Sequence, residues 1–284
     1  MNASKQLFLL RAFGDFLIAV HMVSKSTYST TIKLVVSKHL EPLYRALEPH
    51  LPAPVQIEFV NFKIDKQLMR CFTNKYVFHP QTFSELIALR HYLREEKITG
   101  ELYLEQQKRI FFPQLFCNHA FRFVVADKPV YQSYADCFSV PLNTLENIPF
   151  GSHTKATKVL VVPDSRQPIK VIDQEIIQQI ERSCNDVGTA VTVAFFRKVG
   201  DSYTGNAVVY DNFKELIKLI NETDLLIGGD SLPVHLAQFL GKPHYILYPE
   251  SKTKSFFTPF ALKHRTYFTF EDLKLSNSFP IYEQ

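Results

Sequence analysis

The sequence contains no tryptophan and only four cysteines, Cys71, Cys117, Cys137 and Cys184. The cysteines are scattered and form no Cys-x-x-Cys pair. That argues against a disulfide framework or a cysteine zinc site and fits a reducing cytosol. There is no P-loop and no Gly-x-Gly-x-x-Gly, so an ATPase or an ordinary dehydrogenase is disfavoured. His79, His91, His119 and His153 show no ligand spacing, and no metal site is expected. No long apolar run exists either: Leu7 to Val20 is broken by Arg11 and Asp15. No signal peptide or membrane span is expected from it, and the Asn221-Glu222-Thr223 sequon is read as silent. Charge of one sign is scarce. The net charge of +4 is far from the dense Lys/Arg of a nucleic-acid binder, so no nucleic-acid partner is expected. It suits an anionic ligand or an anionic membrane surface, and equally an ordinary surface with a small lysine surplus.

What is present is the composition of a soluble globular chain, 46% hydrophobic and 21% charged, with 25 phenylalanines read mainly as core. At 284 residues it has the length of one large domain or two ordinary ones. Apolar strands at 6–11, 31–37, 56–62 and 102–104 alternate with helical patterns from Phe16, at 39–47 and at 83–97. Pro141 to Lys158, rich in Pro, Asn, Gly and Ser, reads as a linker. After it, strands at 159–162, 191–196, 225–228 and 245–248 alternate with helices at 174–182, 212–220 and 233–240. The fold class expected is parallel α/β, in two domains of residues 1–150 and 151–284. The C-terminal segment is free to pack back on the first. No internal repeat and no low-complexity tract is present.

The most informative segment runs from Asp224 to Glu250. An apolar strand ends in Gly228-Gly229, and Asp230-Ser231 stands where a helix should begin. Pro233 falls in its first turn, and Gly241 and Pro243 close it. Free backbone N–H groups and the positive helix end then face outward at a sheet edge, where phosphate binds in open α/β folds. His235, four residues after Ser231, lies on the same helix face. The same pattern also makes a plain strand–helix–strand unit with a serine cap and a satisfied histidine. A second loop, Ser165 to Lys170 with Arg166 inside it, follows the strand at 159–162 and offers a hydroxyl and two cations. It is equally an ordinary solvated loop. Asp15, between the first strand and helix, is either an N-cap or a base. Lys108 and Arg109, with Phe111 and Phe112, either meet an anionic, lipid-like acceptor or start an amphipathic core helix.

These residues resemble the glycosyltransferase family of the ADP-heptose:lipopolysaccharide heptosyltransferases. Asp230, Ser231 and His235 match its Asp-(Thr/Ser)-Gly-x-x-His, and Pro243 follows at the expected distance. Leu9 to Asp15 is similar to its opening strand ending in Gly-Asp. Ser165 to Lys170 is similar to its hydroxyl-plus-Lys loop. The resemblance implies a GT-B architecture, two Rossmann-like domains with parallel sheets facing a central cleft, acceptor on the first and nucleotide-sugar on the second. It implies an inverting, metal-independent transfer with no cofactor, the co-substrate being a nucleotide-diphosphate sugar of the ADP-heptose kind. Asp15 would be the general base. Ser165, Lys170, Ser231, the amide of Leu232 and His235 would hold the donor diphosphate, with Asp230 also on the donor side and Arg166 an adjacent candidate that has no counterpart in the family. The loop of Tyr210, Asp211 and Asn212 would meet base or ribose. Gly14, Gln106 with Gln107, Lys108 and Arg109 would lie toward the acceptor, a glycan or glycolipid. The enzyme would be cytoplasmic, in peripheral contact with the inner membrane. An epimerase or hydrolase on the same fold, or a non-catalytic binding protein, are the other readings. The chain departs from the pattern in three places. Leu232 replaces a glycine, the Ser165 to Lys170 loop is one residue longer, and Arg197-Lys198 replaces a Gly-rich turn.

Overall fold

The computed structural model describes residues 5–26, 31–63, 68–70, 76–78, 80–96, 100–106, 119–125, 128–146, 148–150, 156–200, 203–276 and 278–280. The chain divides into two compact units. One holds Met1–Lys128 and Gln132–Val140; the other holds Pro129–Tyr131 and Pro141–Gln284.

The first unit is built on a five-stranded parallel sheet. Its strands are β1 (Lys5–Leu9), β2 (Ile32–Ser37), β3 (Gln56–Val60), β6 (Glu101–Gln106) and β7 (Phe121–Val125), in the order β3-β2-β1-β6-β7. A separate antiparallel pair, β4 (Leu68–Arg70) and β5 (Tyr76–Phe78), lies between β3 and β6 in sequence. The strands read as they do because both faces are covered. In β2, Leu34, Val35 and Val36 are all fully buried, as parallel strands require. Helices α1 (Phe13–Lys25), α2 (Glu41–Leu47) and α3 (Pro80–Glu95) supply the cover, and α4 (Val130–Phe138) follows β7. Helix α1 buries every residue from Asp15 to Ser24, so it is apolar nearly all round. It begins at Phe13, three residues before the expected Phe16. Its N-cap is Ala12 in an extended conformation, with no side-chain cap. Asp15 is therefore the third helical residue, and the N-cap reading of it does not hold.

The second unit carries a six-stranded, wholly parallel sheet. Its strands are β8 (Lys158–Val162), β9 (Ala190–Phe196), β10 (Ala207–Tyr210), β11 (Leu225–Gly229), β12 (His244–Tyr248) and β13 (Tyr267–Thr269). Their order, β10-β9-β8-β11-β12-β13, is the doubly wound 3-2-1-4-5-6 arrangement. Helix α5 (Asn143–Glu146) falls where a linker was expected, and its Leu145 carbonyl accepts from Gln238 Nε2 at 2.6 Å, within this unit. Helix α6 (Gln174–Asp186) is capped by Asp173, which accepts from the Ile176 amide at 3.0 Å. It packs Ile176, Ile177, Ile180 and Cys184 into the core. Helix α7 (Phe213–Asn221) buries Leu216, Ile217 and Ile220. Helix α8 (Leu232–Phe239) joins β11 to β12, and α9 (Pro259–His264) joins β12 to β13. The last helix, α10 (Phe270–Ser276), packs on α6, with Gln179 Nε2 donating to the Leu273 carbonyl at 2.9 Å. Among the described residues no helix is long and apolar enough to cross a membrane.

In each sheet the winding reverses once, between β1 and β6 in the first and between β8 and β11 in the second. Ligands of open α/β sheets bind outside the carboxyl ends of the strands at that reversal. The residues that follow β1, β6, β8 and β11 are therefore the ones to inspect.

Candidate active site

In the second unit the reversal point brings β11 and the loop after β8 together. Pro168–Lys170 forms one turn of 3-10 helix that lies against the end of β11. A Cβ built on Gly229 would stand 2.6 Å from the Lys170 carbonyl oxygen, so only glycine permits this approach. The approach delivers the Lys170 ammonium to Asp230. Lys170 Nζ donates to Asp230 Oδ2 at 2.5 Å and to the Asp230 carbonyl at 2.9 Å. The pair is nearly enclosed, with side-chain exposures of 13% and 4%. Two of the three ammonium protons are thus used, which leaves one for an anion. Asp230 Oδ1 is buried without a hydrogen-bond partner among the described residues.

Helix α8 begins immediately afterwards. Ser231 holds the N-cap position with φ −152°, but its hydroxyl makes no capping bond. It donates instead to the Gly229 carbonyl at 3.3 Å. The expected serine cap is absent: the hydroxyl is spent on the Gly229 carbonyl and not on an amide of the first turn. Ser231 therefore leaves the first N–H groups of α8 without a cap from its own side chain, at the positive end of the helix. Leu232 is the first residue of α8 and is not among the residues of positive φ. The position expected to want glycine makes no demand on glycine's conformational freedom. Only the leucine side chain separates this chain from the pattern there.

His235 lies one turn further on and is buried. Tyr131 stands against it, also buried, with its hydroxyl 2.9 Å from Nδ1 and the rings 5.8 Å apart. Burial, more than any neighbour, pulls the His235 pKa down to about 4; Asp230 opposes the shift and Lys170 adds to it. The imidazole is therefore neutral at physiological pH. His244 is lowered to about 3 by burial. Its Nδ1 meets the Lys242 carbonyl at 2.9 Å and its Nε2 meets Thr258 Oγ1 at 2.6 Å. His21, in α1 of the first unit, is lowered to about 3 by burial and by Lys25. An unfolded chain takes up protons at such histidines below about pH 6.5, while the folded chain refuses them. Stability is expected to drop as the pH falls from about 6.5 to about 4 for His235 and about 3 for the other two. Urea denaturation at about pH 7 and about pH 5 measures the slope; a flat profile would contradict the buried neutral rings.

The other residues expected to meet the donor show local contacts of their own. Ser165 Oγ accepts from the Gln167 amide at 3.3 Å, and Arg166 is exposed. Asp211 is exposed, and its amide donates to Glu215 at 2.7 Å. Asn212 is the N-cap of α7: its Oδ1 accepts from the Glu215 amide at 3.0 Å, and its Nδ2 donates to the Glu215 carboxylate at 2.8 Å. Where a Gly-rich turn was expected after β9, Arg197 takes φ 65°, a left-handed conformation that favours glycine. The turn keeps its shape with an arginine in it. Arg197 N donates to the Tyr210 carbonyl at 2.8 Å, and the guanidinium lies 4.8 Å from the Phe196 ring centroid.

In the first unit the residues at the reversal are Gly14 and Asp15, after β1, and Glu105 and Gln106, at the end of β6. Asp15 and Glu105 are both buried. Tyr134 on α4 is enclosed with them. Burial raises its pKa far above the ordinary phenol value, and the Asp15 and Glu105 carboxylates raise it further. Glu105, one residue before the expected Gln106, is thus the carboxylate buried at the end of β6, and its trace in the sequence is an acidic residue directly after the apolar run Leu102 to Leu104. Gln107, Lys108 and Arg109 lie outside the described residues.

Three comparisons with known proteins bear on this arrangement. No family model and no curated protein matches the sequence. Solved structures do. A glycosyl transferase family 9 protein from Veillonella parvula DSM 2008 superposes with a TM-score of 0.59 at 14% identity, over 96% of this chain and 88% of that one. The fold is that of the GT-B glycosyltransferases. Two Escherichia coli proteins agree. Heptosyltransferase WaaC with ADP gives a TM-score of 0.56 at 12% identity, over 93% of this chain and 92% of that one. ADP-heptose lps heptosyltransferase II gives 0.56 at 13%, over 94% and 89%.

Proposed function

We propose that this GT-B chain is an inverting, metal-independent glycosyltransferase. It moves a heptose or related sugar from a nucleotide-diphosphate donor to a lipopolysaccharide core or similar bacterial glycan. The observation that carries the reading is the Lys170–Asp230 pair at the carboxyl edge of β11, beside the uncapped start of α8. A cation with one unused proton, open helix N–H groups and a buried neutral imidazole form a donor set for a diphosphate, and for the charge it gains as the sugar leaves. Ser165, Arg166, Ser231 and the Leu232 amide add donors, and Asp211 lies toward base or ribose. Asp15 takes the proton of the acceptor hydroxyl as its oxygen bonds to the anomeric carbon. The bond from that carbon to the diphosphate oxygen breaks, and the nucleoside diphosphate departs with the electron pair. Gly14, Gln106, Lys108 and Arg109 are assigned to the acceptor side. An adenine nucleotide is the first donor to try, because the WaaC structure holds ADP. Such an acceptor is membrane-borne, so the enzyme works in the cytoplasm at the inner membrane surface.

A thermal-shift panel of ADP, UDP, GDP and ADP-heptose tests the donor half. A ligand at 100 times its Kd stabilises by about 2.7 kcal/mol. A shift with ADP and ADP-heptose but not UDP or GDP is expected. No shift with any nucleotide sinks the donor site. Sugar released from ADP-heptose without an acceptor would instead make the protein a hydrolase.

A further inference from the structure

His235 is one turn into α8, and the proton it offers depends on which ring nitrogen holds it. A neutral imidazole has one N–H and one lone pair, and a hydrogen bond at either nitrogen selects between the two tautomers. Tyr131 makes that bond. Its hydroxyl lies 2.9 Å from Nδ1, and both residues are buried. The direction of the bond follows from satisfaction of the phenol. His235 is the hydrogen-bond partner given to Tyr131 among the described residues. Burial holds the Tyr131 pKa well above its ordinary value, with Asp230 adding to the rise, so the phenol keeps its proton. Were Nδ1–H the donor, that phenolic proton would be buried with no acceptor, a costly state. The phenol therefore donates to Nδ1, and the ring proton belongs on Nε2.

We propose that Tyr131 is a positioning residue that holds His235 as the Nε2–H tautomer, so that the ring donates a hydrogen bond to the bound diphosphate. The second half rests on the donor site proposed above; the first half does not. A neutral ring is useful beside Lys170, because it adds a donor without placing a second cation in the same enclosure. Asp230, Lys170, Tyr131 and His244 are the charged or titratable groups that act on it among the described residues.

The test is long-range 1H–15N correlation on the full chain labelled at histidine, with His235 assigned by its loss in His235→Asn. In the parent, Nε2 is expected protonated and Nδ1 unprotonated at about pH 7. In Tyr131→Phe the ring is expected to become a mixture of tautomers, and ADP binding to weaken about 3- to 10-fold. His235→Gln, whose amide N–H reproduces the reach of Nε2, should keep more ADP affinity than His235→Asn, which reproduces Nδ1. This second pair keeps the proposal open to refutation if Tyr131→Phe fails to fold. An Nδ1–H ring in the parent, or an unchanged tautomer in Tyr131→Phe, overturns the positioning role. The expected tautomer with no response of the His235 resonances to ADP or inorganic pyrophosphate overturns the diphosphate contact and the donor site with it, while the tautomer assignment stands.

Discussion

Asp15→Asn is expected to fold as the parent does and to lose about 10²- to 10⁴-fold in the rate of sugar transfer. The substitution keeps shape and hydrogen-bonding reach and removes only the basic oxygen. Its cost to folding is limited, because Asp15 is the third residue of α1 and Ala12 holds the cap position. What is forfeited is the favourable charge near a helix N-terminus, about 0.3–1 kcal/mol. Near-parental melting with transfer abolished in single-turnover assays supports the base. A comparable rate in a folded mutant refutes it. Glu105→Gln is the companion experiment, since Glu105 is the other buried carboxylate beside Tyr134. If that variant loses transfer and Asp15→Asn keeps it, the base is Glu105.

Lys170→Met should unfold the protein at markedly lower urea, with a loss of about 3–5 kcal/mol, because it strands the buried Asp230 carboxylate. The figure is an order of magnitude for breaking a buried pair from one side. Adding Asp230→Asn removes the stranded charge, and the double mutant should recover much of that stability. Nucleotide binding should not return with it if, as proposed, the missing ammonium is itself the contact to phosphate. Recovery of both stability and an ADP thermal shift in the double mutant would show that Lys170 serves the fold alone. Failure to recover stability would show that the pair is not the source of the loss.

The sequence made the central part of the second unit legible, because its signals are local. The β-branched run of β8, the glycines ending β11, the proline opening α8 and Gly241 closing it each act within a few residues. Lys170 and Asp230, both singled out, are joined by the winding of the sheet. Three kinds of feature were hidden. The edge strand β10 is only four residues long, too short for a periodicity to show, although Val208 and Val209 are β-prone. Ser231 looks like a cap and has a capping residue's extended backbone, yet its hydroxyl bonds the Gly229 carbonyl, a choice of rotamer that no sequence pattern records. Tyr131 lies 104 residues from His235 in sequence, and no local pattern links a phenol to an imidazole at that distance.

Gly229 carries no side chain, yet it sets where the cation stands. The Lys170 main chain rests against its α-carbon. The ammonium is placed by two backbones touching, and the length of one lysine side chain spans the rest. Side chains around the pocket can therefore diverge, to a leucine at position 232 or an arginine at 197, without moving the charge. A methyl group at position 229 would push the whole turn outward and carry the charge with it.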